Sequence, residues 1–271
     1  MKEQLLLSPE LVGRIERSNC LEHLDKCQSM QAREGNPMGI VIEHFGSATA
    51  VGSAVLGGAT NRVMCFGDHE EGRLDEIIRF FAEHNLPFRF EICPGDVSAD
   101  LLAKLADRGF EQNGFHAVMY GAPQTAPPVL PTELTIDQVA EQQFDLYGDL
   151  YVQSFGMPDW TKAGVAENNR LLSQRPGRTF YFAAVDHAPA AVASLFVADQ
   201  VANLALAGTA PDYRGKGCQL VLLHQRLFDA SAQGCDLVVG QATFLSTSMR
   251  NMQRAGLQLA YTKAFFSKRS R

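Results

Sequence analysis

Apolar and polar positions along the chain follow two periods, and both halves of the chain show them in the same order. Apolar residues at every third or fourth position predict helices, whereas alternation and short apolar runs predict strands. The predicted helices begin after Ser8 and then cover residues 70–85, 98–110, 135–155, 162–174, 219–234 and 247–256. The predicted strands cover residues 39–45, 48–56, 61–67, 88–94, 115–121, 179–186, 190–200, 201–208, 235–243 and 257–266. This order predicts two α/β (α+β) units of related architecture.

A proline-rich segment separates the two halves. Residues 121–133, GAPQTAPPVLPTE, contain four prolines, and proline resists both helix and central strand. We therefore expect a first domain over residues 1–122, a linker over 123–133 and a second domain over 134–271. The shared order of elements in the two domains favours an internal duplication.

The composition is that of a globular protein. Of the 271 residues 46% are hydrophobic, and the formal net charge of -6 argues against a general nucleic-acid binder. The N-terminus lacks the apolar core and the cleavage site of a signal peptide, and no window approaches a membrane span. The six cysteines form no CxxC pair and no zinc-ligand spacing. These features favour buried, reduced thiols in a cytoplasmic protein with no metal, nucleic-acid or membrane partner.

One short segment carries the strongest chemical signal. The stretch APDYRGKGCQ, residues 210–219, follows an apolar strand and precedes a predicted helix. Unpaired N–H groups at a helix start, flexible glycines and two cations together suit a pyrophosphate. A Walker A motif is excluded because Ala210 stands where that motif needs glycine and Gly217 where it needs Ser or Thr. The dinucleotide fingerprint is excluded because Leu220 replaces its third glycine.

This turn resembles the acetyl-CoA-binding motif of the GNAT superfamily of N-acetyltransferases. The family pattern is Gln/Arg-x-x-Gly-x-Gly/Ala after a strand and a Val-x-Pro, and here its arginine is Arg214 and its first glycine is Gly217. Gln219 departs from the last position, and Thr209 stands at the valine position. The similarity covers roughly residues 135–266. It implies tandem GNAT-like domains, each with a mixed, mostly antiparallel twisted sheet flanked by helices.

The resemblance also implies how a cofactor is held. The N–H groups of the turn would bind the CoA pyrophosphate, the edge of the preceding strand would pair with the pantetheine amides, and Asn251 would hydrogen-bond the pantetheine arm. The cofactor-binding residues expected on this basis are Ala207, Gly208, Thr209, Arg214, Gly215, Lys216, Gly217, Cys218, Gln219 and Asn251. Acetyl-CoA is the expected acyl donor, and the expected acceptor is an amine of a small molecule or a peptide.

The usual catalytic residues of the family are missing from their positions. The family often has a tyrosine acid where this chain has Met252, and a glutamate base on the strand before the turn, which here contains no acid. Ser248 lies one helical turn before Met252 and Tyr261 lies on the last strand, so these two are the candidate catalytic residues. Direct attack with water-relayed protons stays open. Trp160 is expected in an acceptor wall or as a core or lid anchor, and His224 as a packed or solvent-facing side chain.

The first half lacks the anion seat. At the place of the cationic turn it has GDHEEGRLDE, residues 67–76, whose carboxylates would repel a pyrophosphate. We expect a degenerate GNAT-like domain that shapes the acceptor site or forms a homodimer contact. The leading function is a cytoplasmic acetyl-CoA-dependent N-acetyltransferase. A non-catalytic acyl-CoA-binding sensor or scaffold is the alternative, and a transferase of aminoacyl groups from tRNA is a third, which the negative charge disfavours.

Overall fold

The computed structural model describes residues 6–269 of the chain. These residues form two units. Of the described residues, 6–118 and 260–269 form the N-terminal unit, and 119–259 form the C-terminal unit. The chain therefore returns to its first unit at its end, a feature that the linear domain boundaries expected from the proline-rich segment do not include.

The N-terminal unit begins with a long helix and a strand meander. Its helices are α1 (Pro9–Gln31), α2 (Leu74–Glu83) and α3 (Ala99–Asp107), and its strands are β1 (Ile40–Phe45), β2 (Ala48–Ser53), β3 (Arg62–Met64), β4 (Arg89–Ile92) and β5 (Phe110–Gly121). The first three strands pair antiparallel, whereas β3 and β4 pair parallel. Ser8 caps α1 as predicted, because its side chain accepts a hydrogen bond from Leu11 N at 3.2 Å.

Phenylalanine side chains fill the core of the N-terminal unit. The predicted apolar face of α2 is buried at Leu74, Ile77 and Phe81. The ring of Phe81 stacks on the ring of Phe88 with 3.9 Å between centroids. This packing fixes α2 against the sheet at the point where the chain passes from β3 to β4.

The C-terminal unit repeats this plan with longer strands. Its strands are β6 (Leu134–Gln138), β7 (Arg178–Val185), β8 (Ala188–Ala198), β9 (Val201–Thr209) and β10 (Leu237–Thr243), and its helices are α4 (Phe144–Phe155), α5 (Lys162–Ser173), α6 (Cys218–Ala232) and α7 (Thr247–Arg254). The sheet order is β10-β9-β8-β7-β6, with β9 and β10 parallel and the other pairs antiparallel. Phe144, Tyr147 and Phe180 form the centre of its core.

The last strand, β11 (Gln258–Lys268), joins the N-terminal unit from Ala260 onward. It lies between β4 and β5 and pairs antiparallel with β4, with Ala264 opposite Ile92. The N-terminal unit thus takes one of its central strands from the C-terminal end of the chain.

The helix predicted over residues 135–155 is wrong at its start. Residues Leu134–Gln138 form β6, which pairs antiparallel with β7, and the helix α4 begins only at Phe144. The β-branched side chains of Thr135 and Ile136 favour a strand, and pairing with β7 outweighs the helical spacing of the apolar residues.

The proline-rich segment between β5 and β6 contains no helix or strand. Its Gln124 is nevertheless held in place, because its backbone N–H donates to Leu227 O at 3.0 Å and its Nε2 donates to Ala255 O at 2.9 Å. Of the cysteines, Cys65 is half-buried and the other five are buried. Among residues 6–269 there is no helix with the length and apolar character needed to cross a membrane.

Candidate functional site

The parallel strands β9 and β10 of the C-terminal unit pair along only part of their length. They pair only where Val201, Ala202 and Asn203 face Leu237, Val238 and Val239. Beyond this point β9 continues to Thr209 and stays paired with β8 on its other side. The edge of β9 that faces away from β8 is therefore open over its second half, and an open strand edge can pair with amides of a ligand.

Met252 lies buried where the two strands separate. A Cβ atom on Gly240 of β10 would come within 3.1 Å of Met252 Cε and 3.3 Å of Leu204 Cδ1. The missing side chain of Gly240 therefore makes room for the thioether. Since a thioether has no proton to give, the family's tyrosine position is apolar packing in this chain.

The turn between β9 and α6 has the backbone that its glycines allow. A short 3₁₀ turn at Pro211–Tyr213 leads to Gly215, with φ of 81°, and Gly217, with φ of 86°. A Cβ on Gly215 would meet no atom within 4 Å. Glycine is thus required at position 215 because the backbone is left-handed there, and not because space is lacking.

Five consecutive amides at the start of α6 are available to a ligand. Within residues 6–269 the N–H groups of Gly215, Lys216, Gly217, Cys218 and Gln219 donate to no backbone carbonyl, whereas the next two N–H groups both donate to Gly217 O. The positive end of the helix dipole adds to their attraction for an anion. This is the arrangement that phosphate-binding helix starts use.

The two cations of the turn have different surroundings. The Arg214 guanidinium donates to Ser154 O at 3.1 Å and to Thr209 O at 3.4 Å, and so ties the turn to the end of α4 and the end of β9. Lys216 is exposed, with its Nζ 5.1 Å from the centre of the Tyr213 ring. Arg214 therefore braces the turn, and Lys216 is the exposed charge beside the five amides.

Cys218 is a packed thiol at the start of α6. Its side chain is buried, and burial raises its pKa above the ordinary value of 9.0. The thiol is therefore protonated at neutral pH, and the backbone N–H of this residue is the group that an anion can reach.

Three residues predicted from the sequence meet beside this turn. Gln219 Nε2 donates to Ser248 Oγ at 2.9 Å, and Asn251 Nδ2 donates to Gln219 Oε1 at 2.6 Å. Arg254 Nη1 donates in turn to Asn251 Oδ1 at 2.8 Å. The side chain of Gln219 thus joins the start of α6 to the exposed face of α7.

The end of α4 presses on β9 at a position that the sequence did not indicate. A Cβ on Gly208 would lie 2.7 Å from Ser154 Cβ and 3.0 Å from Phe155 Cε2. Ser154 Oγ is buried and has no hydrogen-bond partner within residues 6–269. No spacing in the sequence links these residues to β9, so only the folded chain reveals them.

A buried arginine supports the strand β9. Arg226 Nη1 donates to Ser194 O at 3.1 Å and to Leu206 O at 3.0 Å, two residues that face each other at a β-bulge between β8 and β9. Burial lowers the pKa of Arg226 to about 10. In the sequence the only signal for this role is an arginine on the apolar face of α6, between Leu222 and Leu227.

Three other residues singled out in the sequence have clear positions. His224 Nδ1 donates to Gln124 Oε1 at 2.9 Å, so this histidine packs against the segment between the strands β5 and β6. Trp160 is 84% exposed, and it is therefore not a core anchor. Tyr261 belongs to the N-terminal unit, where its hydroxyl donates to Glu16 Oε1 at 2.5 Å. Burial raises the pKa of Tyr261 well above its usual range.

No protein-family model matches this sequence. No curated protein matches it significantly. A GCN5-related N-acetyltransferase from Kribbella flavida is similar in structure, with a TM-score of 0.64 and 15% identity, over 92% of this chain and 96% of that one. A tandem GNAT protein from the clavulanic acid biosynthesis pathway is similar with a TM-score of 0.62 and 12% identity, over 93% of this chain and 95% of that one.

A third similar structure is the C-terminal domain of a putative lysylphosphatidylglycerol synthetase from Agrobacterium fabrum. Its TM-score is 0.51 at 14% identity, over 92% of this chain and 93% of that one. At these identities the likeness concerns the fold. The predicted fold class is confirmed: each unit has a mixed, mostly antiparallel sheet flanked by helices, and the fold is that of tandem GNAT proteins.

Proposed function

We propose that this chain, whose fold is that of the GNAT acetyltransferases, moves an acetyl group from acetyl-CoA to an amine by direct attack. The acceptor would be a small molecule or an amino group of a peptide. The observation that carries this proposal is the run of five available N–H groups, from Gly215 to Gln219, beside the open edge of β9. Because acetyl-CoA is made and used inside cells, the proposal implies a cytoplasmic N-acetyltransferase.

The pyrophosphate of CoA would bind at the start of α6. The amides of Gly215, Lys216, Gly217, Cys218 and Gln219 would donate to its oxygens, since they donate to no backbone carbonyl of the described chain. The exposed ammonium of Lys216 would add charge attraction. Arg214 would act mainly by holding the turn in shape through its two bonds to carbonyl oxygens.

The pantetheine arm would extend along the open edge of β9. The amides of the arm would pair with the backbone of Ala207, Gly208 and Thr209, as an added strand pairs with a sheet edge. Phe155 lies directly over Gly208 and offers an apolar wall to the arm. Asn251 stays a proposed contact, with one of its N–H bonds still available beyond the one given to Gln219.

The chemistry needs one bond exchanged and two protons placed. A neutral amine attacks the thioester carbonyl carbon, the new C–N bond forms, the C–S bond breaks, and the nitrogen loses a proton to water. The departing thiolate then needs a hydrogen-bond donor or a proton. Ser248 suits this task because its oxygen accepts from Gln219 Nε2, which leaves its own O–H free to donate. Tyr261 is the weaker of the two candidates, since its hydroxyl proton is already directed to Glu16.

The second candidate function is a non-catalytic sensor or scaffold that binds acyl-CoA. One observation favours it: Met252 is buried against Gly240, so this position offers packing and no acid. In that case the five amides would still bind the cofactor, but no acyl group would move.

The test combines binding with product analysis. Purified protein is incubated with acetyl-CoA and a panel of amines, and free CoA and acetylated amine are measured by mass spectrometry. We expect equal amounts of both products from at least one amine, and we expect Lys216→Glu to weaken the binding of acetyl-CoA by about tenfold. Lys26→Glu, which changes an exposed cation of the N-terminal unit, serves as the matched control.

Each outcome has a distinct meaning. Thermal stabilisation by acetyl-CoA without product from any amine would replace the transferase with the sensor. If acetyl-CoA gave no stabilisation at all, both functions would be wrong.

A further inference from the structure

The N-terminal unit contains a cavity of its own, with a volume of about 780 Å³. The side chains of Val12, Glu16 and Cys20 on α1 form one wall, and Cys65, Phe66 and Cys93 after the strands β3 and β4 form another. This volume lies within the range of pockets that bind small molecules. The apolar side chains, together with the thiols and carboxyl groups, give the cavity both an apolar body and polar ends.

The cavity lies where two parallel strands stop pairing. The strands β3 and β4 pair only where Arg62 and Val63 face Arg89 and Phe90. A turn and the helix α2 connect them, so the order strand, turn, helix and parallel strand is the same as in β9, α6 and β10. The cavity of the N-terminal unit therefore lies at the same topological position as the site proposed to hold CoA in the C-terminal unit.

The charge of the connecting turn is reversed between the two units. The C-terminal turn carries Arg214 and Lys216, whereas the N-terminal turn carries Asp68, Glu70 and Glu71. The N-terminal turn also contacts a cavity-lining residue, because Asp68 N donates to Asp96 O at 3.0 Å. A phosphate group, which the cations of the C-terminal turn attract, is therefore repelled by the carboxylates of the N-terminal turn.

The acids around the cavity differ in how they are neutralised. Glu91 is surrounded by Arg62, Arg89 and Lys263, at 2.9, 2.7 and 3.7 Å. Glu16 pairs with Lys263 at 2.8 Å and accepts from Tyr261. These two carboxylates are therefore compensated by the protein itself.

Asp96 at the rim, and the buried Glu70 of the N-terminal turn next to it, are not compensated in this way. Within residues 6–269 neither carboxylate forms an ion pair with a lysine or an arginine, and Glu70 accepts only from the backbone and hydroxyl of Ser47. Burial and the neighbouring carboxylates of Glu70 and Asp68 raise the pKa of Asp96 above its ordinary value, with only His69 acting against them. The basic side chains that line the cavity are Arg17 and His44, whereas Arg62, Arg89 and Lys263 are not part of its lining.

We infer that this cavity is a second ligand site, which binds an organic ammonium ion with an apolar body. The ammonium group lies at the rim beside Asp96, with Glu70 behind it, and the body packs between α1 and Phe66. The site is separate from the acyl transfer and does not depend on it. A cation balances the negative charge of Asp96 at the rim, and the apolar body fills a volume that the side chains leave open.

Cys20 is a built-in reporter of this site. It lines the cavity, and a hydrogen bond from Cys65 lowers its pKa, with burial acting in the opposite direction. We therefore expect this thiol to react with iodoacetamide more readily than the other buried cysteines. A molecule in the cavity blocks that reaction.

The test uses three probes that share one apolar body and differ in charge. The full-length protein is treated with iodoacetamide at pH 7 in the presence of 2-phenylethylamine, 2-phenylethanol or 3-phenylpropionate, and alkylation of Cys20 is followed by peptide mass spectrometry. We expect the amine at saturation to slow this alkylation by about fivefold. We expect much weaker protection from the alcohol and none from the carboxylate, while the rate at Cys235 of the C-terminal unit stays unchanged.

A pair of variants locates the charge. Asp96→Asn should abolish the preference for the amine over the alcohol, whereas Asp107→Asn, which alters an exposed acid outside the cavity lining, should leave it intact. Equal protection by the amine and the alcohol, best protection by the carboxylate, or no protection by any probe would each overturn the inference. Measured thermal midpoints confirm that both variants are folded.

Discussion

Gln219 donates a hydrogen bond through its Nε2 to Ser248 Oγ at 2.9 Å, and so connects the first turn of α6 with α7. The residue that departs from the glycine or alanine of the GNAT pattern is therefore the one that holds the Ser248 hydroxyl in place. Neither glycine nor alanine has a side chain that can make this bond. The residue that departs from the motif, Gln219, and the proposed catalytic residue, Ser248, are thus joined by a hydrogen bond.

The first prediction concerns this hydrogen bond. Gln219→Ala removes the bonds to both Ser248 and Asn251, and we expect a loss of about 1–2 kcal/mol in the free energy of unfolding. The rate of acetyl transfer should also fall, and by more than the loss of folded protein explains, because the Ser248 hydroxyl loses its orientation. Urea unfolding and product analysis check both effects. Gln233→Ala, at the exposed end of the same helix, is the control, and equal behaviour of the two variants would disprove the link.

The second prediction concerns the backbone of the turn. Gly217 has φ of 86°, and a Cβ there would meet only Leu134 Cδ1, at an ordinary 3.6 Å. Gly217→Ala should therefore destabilise the protein by about 1–2 kcal/mol through backbone strain alone. Gly164→Ala, inside α5 and without a contact within 4 Å, should instead stabilise it by about 0.5–1 kcal/mol. Thermal unfolding distinguishes the two, and a change of the same sign in both variants would rule out the strain.

The third prediction concerns the buried arginine of α6. Arg226→Met leaves the carbonyl groups of Ser194 and Leu206 without their donor, and we expect a loss of about 2 kcal/mol in the free energy of unfolding. Arg250→Met, on the exposed surface of α7, should change it by less than about 0.5 kcal/mol. Denaturant titration measures both. If Arg226→Met were as stable as the parent protein, the bulge would not need this side chain.

The fourth prediction concerns acid stability in the N-terminal unit. Although burial acts in the opposite direction, Arg62, Lys263 and Arg89 lower the pKa of Glu91 from 4.5 to about 2. The folded pKa lies below the unfolded one, so the stabilisation is complete above about pH 4.5 and is lost as the pH falls through about 2. It is on the order of 3 kcal/mol at neutral pH.

Glu91→Gln tests this directly, because it removes the charge and keeps the shape. We expect it to lower stability at pH 7 and to weaken the further loss of stability between pH 4.5 and 2. Glu76→Gln, at an exposed pair with Arg73, should change little. An unaltered pH dependence of unfolding in Glu91→Gln would contradict the assignment.

The sequence predicts much of this fold because its signals are local. The cap at Ser8, the apolar face of α2 and the glycine turn before α6 each depend on neighbouring residues, and the structure has all three. The strand Leu134–Gln138 was missed because its pairing with β7 is made with residues some fifty positions later.

The site shows the same division between local and distant signals. The run of amides follows from the motif, whereas the approach of Ser154 and Phe155 to Gly208 depends on how α4 packs on β9. Arg226 was missed for a related reason, since its acceptors lie on two other strands. The position of Tyr261 in the N-terminal unit follows from the return of the chain to its first unit, which no local pattern indicates.

The central claim is that the turn before α6 binds the cofactor. Hydrogen exchange with and without acetyl-CoA tests this claim most directly. Residues 214–219 and the corresponding acidic turn at residues 67–73 are compared in one experiment by mass spectrometry. We predict strong protection by acetyl-CoA at 214–219 and none at 67–73, since the first turn offers available N–H groups and cations and the second offers carboxylates. Absence of protection at 214–219, or equal protection of the two turns, would contradict the claim.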